Sequence, residues 1–336
     1  MAEAVSSHSP ALRDRARIVH QQAFVVDAHA DTFAIDVVAG KRRLADTGKG
    51  GHVDLARLAA GGVSCQVFTL FVPPTVPPAW NTLRALEILD AVAQEVGALE
   101  DKLLWVHRGA DLDRARQEGR IAILVTLEGC EVLGGSLATL RAFYRLGVRA
   151  AGLTWNVRNE LADGVGEPRG AGLTGFGREV VAEMNNLGMV VDVSHLSEAG
   201  FWEVLEISRQ PVIASHSNAR RLCDHRRNLT DDQIRALARK GGVIGINFCP
   251  EFLTDRGPAT LQDVVRHIEY MIELAGPDHV GLGSDFDGIP STPSGLEDVS
   301  QLPRLTEALL AAGLGEETVQ KVLGHNFLRV FREVLR

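Results

Sequence analysis

The sequence predicts a closed (β/α)8 barrel, a TIM barrel with C-terminal helices packed on it, and three observations predict it. Eight short apolar runs rich in Val and Ile recur along the 336 residues. Stretches of helical periodicity lie between them, as crossover helices lie between the strands of a parallel sheet. Ionisable residues fall at the C-terminal ends of these runs, the rim on which barrel enzymes build their sites.

The first run, FVVDAHAD (24–31), sets Asp27, His29 and Asp31 at alternate positions. Side chains alternate along a strand, so one face becomes ionisable while Val26, Ala28 and Ala30 form the other. Taken alone, the octet also fits an exposed edge strand. GVSCQVFTLFV (62–72) follows, and then TLRALEILDAVAQEVGALE, whose apolar residues at three-to-four spacing predict a helix. AILVTLEG (122–129), AAGLTWN (150–156), MVVDVSH (189–195) and PVIASHS (211–217) supply the middle strands. TDDQIRALARK opens with Thr230 and Gln233 spaced as a capping box. GGVIGINF (241–248) and HVGLGSDF (279–286) complete the eight. EETVQKVLGHNFLRVFREVLR predicts a C-terminal helix or helix pair packed on the barrel. No GxGxxG or Walker motif follows any strand, and no linker divides the chain. A single domain over 1–336 is expected, with residues 1–15 a flexible leader.

Composition excludes several classes of partner. The net charge is −8 and the basic residues do not cluster, so neither nucleic acid nor an anionic membrane surface is expected. A small-molecule substrate is. The N-terminal stretch lacks the apolar core of a signal peptide, and no apolar run approaches the ~18 residues of a membrane span, so a cytoplasmic location is expected. Cys65, Cys130, Cys223 and Cys249 are widely spaced and free of CxxC patterning, as reduced, buried thiols would be.

His29, Asp31, Glu128, His195, His216 and Asp285 all fall at the ends of predicted strands, on one rim. That convergence disfavours the edge-strand reading, because carboxylates and imidazoles gathered in a small volume are costly unless a cation holds them. Three imidazoles with carboxylate oxygens suit a borderline divalent metal, zinc first. The rim offers more ligands than one tetrahedral zinc takes, which points to two ions with a carboxylate between them. Glu128 fits that bridge, since its strand lies between the two ligand groups. Such a pair generates a hydroxide at neutral pH and polarises a carbonyl. Asp285 exceeds the needs of the cage and is assigned to general acid/base work.

The motifs DAHAD, LEG at 127–129, VDVSH at 191–195, PVIASHSNAR at 211–220, CDHRRNLTDD, HVGLGSDFDG at 279–288 and GHNFLRVF span nearly the whole chain. In them the sequence resembles the membrane (renal) dipeptidase family of zinc metallopeptidases, a branch of the amidohydrolase superfamily. The resemblance implies a dipeptidase with two zinc ions per chain. His29 and Asp31 would bind one ion, His195 and His216 the other, and Glu128 both. Asp285 matches the family's acid/base, and Arg227 the arginine that receives the substrate's terminal carboxylate. Tolerance of D-residues at the C-terminal position and a homodimeric state are implied as well. Where the mammalian pattern has a histidine near the substrate carbonyl, this chain has Trp155, which is expected to wall the substrate pocket. The mammalian leader and lipid-anchor tail have no counterpart in the motifs, so membrane attachment is not expected.

Neighbouring residues carry smaller roles. Asp27 is a candidate to orient a ligand, and Arg226 competes with Arg227 because adjacent side chains point apart. Asp192, Asp287 and His225 read as local structure, as do His52, His107, His267, His279 and His325. Two rival functions remain at this level: another barrel hydrolase acting on N-acyl amino acids or lactones, and a metal-binding homologue without turnover.

Overall fold

Val25–Ala30 forms strand β1, and all six of its residues are buried although two are ionisable. A computed structural model describes residues 9–336. The remaining strands are β2 (Val63–Phe71), β3 (Leu103–Trp105), β4 (Ile121–Glu128), β5 (Val148–Gly152), β6 (Val190–Asp192), β7 (Val212–Ala214), β8 (Val243–Ile246) and β9 (Val280–Leu282). Every pairing is parallel: β1 lies between β2 and β9, β4 to β9 follow one another, and β2 pairs with β4. The ring β1-β2-β4-β5-β6-β7-β8-β9 is therefore closed, an eight-stranded (β/α)8 barrel. Each of the eight predicted runs supplies one strand of it.

The short strand β3 was not expected from the sequence. It pairs through Leu103, Leu104 and Trp105 with the first residues of β4 and stands outside the ring. The N-terminal leader is also corrected. Residues 1–8 lie outside the described part, whereas Pro10–Gln22 is a helix with Ser9 capping Leu12 and with Ala16, Val19 and His20 buried. Its outer face carries Arg13, Asp14, Arg15 and Arg17, and that polarity reads as leader while the buried 16/19/20 stripe holds the helix down.

Two apolar layers fix the barrel. One joins the outer strand faces to the surrounding helices, through Ile123, Val125 and Leu127 against residues such as Leu58 and Val92. The other gathers Val26, Ala28, Cys65, Val67, Leu124 and Ile213 with Phe327 and Phe331 of the terminal helix Asn326–Val334. That helix and the preceding Glu316–Gln320 are the predicted C-terminal pair. Gly281 makes room for it, since a Cβ there would come within 2.5 Å of the Phe327 ring. The capping box at Thr230 and Gln233 forms as the sequence predicts, opening the helix Asp231–Arg239.

Candidate metal centre

The six rim residues come from five strands. His29 is in β1 and Asp31 follows it, while Glu128 is the last residue of β4. His195, His216 and Asp285 lie just past the ends of β6, β7 and β9, which are shorter than the runs that predict them. His195 and Asp285 have φ of 66° and 63°. Left-handed backbone is disfavoured for such residues, so surrounding contacts must hold both turns in a conformation that aims the side chains.

Glu128 stands between the histidines. Its Oε1 is 3.0 Å from His195 Nε2 and 3.8 Å from His216 Nε2, whereas its Oε2 is 3.4 Å from His29 Nε2. His29 Nε2 also lies 3.8 Å from Asp31 and 3.9 Å from Asp285. The ligand atoms of His29, Glu128 and His216 fall within 4.8 Å of one another, as do those of His29, Asp31 and Asp285. Asp285 is thus close enough to reach an ion through one oxygen. Its Oδ2 is held at 2.9 Å by Asn247 Nδ2, and Asn247 is oriented by the Cys249 N–H on its Oδ1.

Hydrogen bonds decide which imidazole nitrogens are bare. The Ser215 hydroxyl donates to Asp192, so it accepts from His216 Nδ1 at 2.7 Å and from His29 Nδ1 at 3.4 Å. His195 Nδ1 donates to Asn156 Oδ1 at 2.8 Å. All three rings therefore turn unprotonated Nε2 atoms inward, the form in which histidine ligates a metal. His195 Nε2 and His216 Nε2 face each other at 2.8 Å, and the buried His29 Nε2 has no hydrogen-bond partner. Two lone pairs so close need a cation between them, and the donor set of imidazole and carboxylate suits zinc.

Electrostatics point the same way. Burial, assisted by Arg227, lowers His195 to about 3, and burial with nearby His29 and Arg227 holds His216 well below its usual value. Burial also works against a charged His29, yet Glu128, Asp31 and Asp285 outweigh it and raise that ring to about 10. The carboxylates thus demand a positive charge at His29, which an ion can supply instead of a proton. Burial raises Asp31, with Glu128 adding to it, while Glu128 itself is lowered because His29 and His195 overcome its burial.

Arg227 is buried and donates from Nη2 to the His216 carbonyl at 3.1 Å, with its guanidinium 5.7 Å from the Phe252 ring. Its buried Nε has no hydrogen-bond partner. Arg226 is exposed and donates to the Gly166 carbonyl. Trp155 is half-buried between Phe71 and His195, its ring 5.4 and 6.1 Å from theirs.

Asp27 is not among the grouped ligand atoms, but its carboxylate accepts from the His29 N–H at 3.5 Å. The β1–β2 register shifts between Asp27 and Ala30, and the Asp27 carboxylate binds the Ser284 N–H and hydroxyl and Gln66 Nε2. Asp287 is structural, accepting from Arg42, Thr32 and the His52 N–H. Asp192 does more than local structure suggests, because it orients Ser215 and through it two imidazoles. Thr69, which donates to Asp31, and Asn156, Ser215 and Asn247 were not singled out in the sequence. Their types did not set them apart from the other polar residues in or just past the apolar runs.

Comparison with known proteins sets this geometry among relatives. The family described as membrane dipeptidase, peptidase family M19, matches residues 13–336. The dipeptidase aclJ of Aspergillus oryzae is 40% identical over 296 residues, covering 84% of this chain and 70% of that protein. A metallopeptidase from Rhodobacter sphaeroides, solved with a phosphinate mimic of the dipeptide L-Ala-D-Ala, superposes with a TM-score of 0.87 at 30% identity, covering 93% of this chain and 99% of that one. A dipeptidase of family M19 superposes equally well, at 0.87 and 32% identity, over 93% and 98% of the two chains.

Proposed function

The chain belongs to the membrane dipeptidase family of metallopeptidases, and on that premise we propose that it hydrolyses dipeptides with a free C-terminal carboxylate through two zinc ions. The placement of Glu128 carries the reading: one of its oxygens lies beside His195 and His216, the other beside His29. His29 and Asp31 would hold one ion, His195 and His216 the other, and Glu128 both. Bound there, the ions would activate a water at neutral pH and polarise the scissile carbonyl.

The other residues divide the remaining work. Arg227 receives the terminal carboxylate, for which its planar guanidinium has donors to spare. Asp285, with Oδ2 fixed by Asn247, keeps Oδ1 for taking a proton from the attacking water and passing it to the leaving nitrogen. Trp155 and Phe71 wall the pocket and exclude water. Tolerance of a D-residue at the C-terminal position is part of the proposal, supported by the L-Ala-D-Ala mimic bound to the Rhodobacter sphaeroides relative. We also assign the protein to the cytoplasm as a homodimer. Four free buried thiols suit a reducing compartment, and no helix among the described residues is long and apolar enough to cross a membrane.

The test is hydrolysis of L-Ala-L-Ala and L-Ala-D-Ala before and after chelation. Activity on both, lost with the metal and restored by added Zn2+, is expected. Activity that survives complete metal removal ends the proposal.

A further inference from the structure

Beside the metal centre lies a cavity of ≈350 Å3 that shares His195 and Arg227 with it. Arg220 and Arg226 line the same cavity. In a chain of net charge −8, three cationic side chains thus converge on one space. Among the described residues, none of them donates to a carboxylate. Arg220 donates to the carbonyls of Asn228 and Arg226, each at 3.1 Å, and Arg226 to those of Val165 and Gly166. Backbone acceptors therefore hold both guanidiniums in place and leave their charge unneutralised. Each keeps N–H donors unused, since a guanidinium carries five. Glu167 and Glu198 also line the cavity, but neither pairs with these arginines, and Glu167 accepts from the Arg158 N–H.

We propose that Arg220 and Arg226 form a subsite for an acidic side chain on the C-terminal residue of the dipeptide. The inference rests on the dipeptidase reading above and narrows its substrate class. The α-carboxylate occupies Arg227, and a second carboxylate one or two carbons further along the same residue meets the adjacent guanidiniums. Arginine suits this task because its fork matches both oxygens of a carboxylate. A neutral amide of the same shape offers only one acceptor oxygen and no charge.

The experiment compares kcat/KM for Ala-Asp with Ala-Asn, and Ala-Glu with Ala-Gln. In the wild type the acid should exceed its amide by roughly 10- to 100-fold, the usual worth of hydrogen bonds to a charged group. Arg220→Gln and Arg226→Gln should each pull that ratio toward one, and Arg226→Lys should restore part of it. Because each ratio is taken on one preparation, a reduced folded fraction cancels. Equal rates on acid and amide in the wild type overturn the subsite, as does an unchanged ratio in both glutamine variants. Ala-Ala separates the two levels: its hydrolysis without acid preference sinks only the subsite, whereas failure on every dipeptide sinks the dipeptidase reading itself.

Discussion

Replacing Arg227 with alanine should remove the enzyme's hold on the terminal carboxylate of its substrate. The residue is only 5% exposed, and its side chain spends one donor on the His216 carbonyl while its Nε has no partner. A pair formed there is desolvated, unlike surface ion pairs worth about 0–1 kcal/mol. Removing one partner of a buried charge pair costs about 2–5 kcal/mol, so kcat/KM for a free dipeptide should fall roughly 30-fold to several-thousand-fold. C-terminally amidated dipeptides lack the anion and should be poor substrates of the wild type, hardly affected further by the substitution. The assay is a cycle: wild type and Arg227→Ala, each on a dipeptide and its amide. Metal content must be measured alongside, since Arg227 touches the backbone of His216. If the wild type cleaves amide and acid equally, or if the variant loses both alike with its metals intact, Arg227 is not the clamp.

Three further outcomes follow from the same geometry. Asp285→Asn keeps the shape but carries no proton, so kcat should drop roughly 10²- to 10⁴-fold with metal content nearly unchanged; a variant that loses an ion but keeps its rate on the remainder makes Asp285 a ligand. Burial, with Glu128, raises Asp285 to about 6, and the base must be ionised to accept a proton, so kcat/KM should climb with pH and be lost as pH falls through that region. Bound cations favour the carboxylate, which puts this acid limb at or below 6 under metal excess; a limb that persists in Asp285→Asn belongs to another group. Gly288→Ala would drive a Cβ into the Asp31 carboxylate and to within 2.5 Å of Asp285 Oδ1, an overpacking that typically costs about 1–3 kcal/mol. Metal retention on dialysis and kcat should both fall, and full retention with full rate would show that the carboxylates relax freely.

The barrel was legible because its strands are sheathed on both faces and so read as nearly continuous apolar runs, such as AILVTLEG. Strand β3 was not, because LLW is too short to show a period. The helix Pro10–Gln22 hid behind its charged outer face, although Ala16, Val19 and His20 already stood at helical spacing. The ionisable rim residues announced themselves by type, since a histidine or aspartate ending an apolar run needs an explanation. The residues that orient them did not. Ser215 and Asn247 are ordinary polar residues whose importance comes from contacts across strands, with Asp192 and His29 for one and Asp285 for the other. Asp27, on the same alternating face as His29 and Asp31, stays outside the candidate ligands, and its carboxylate instead accepts from the His29 N–H, Ser284 and Gln66.

The central claim is a pair of metal ions shared by Glu128, and metal analysis of the purified protein tests it most directly. Close to two equivalents of divalent metal per chain are expected in the wild type, with both lost or weakened together in Glu128→Ala. A single tightly held equivalent, or a Glu128→Ala protein that keeps one site fully loaded while losing only the other, contradicts the shared carboxylate.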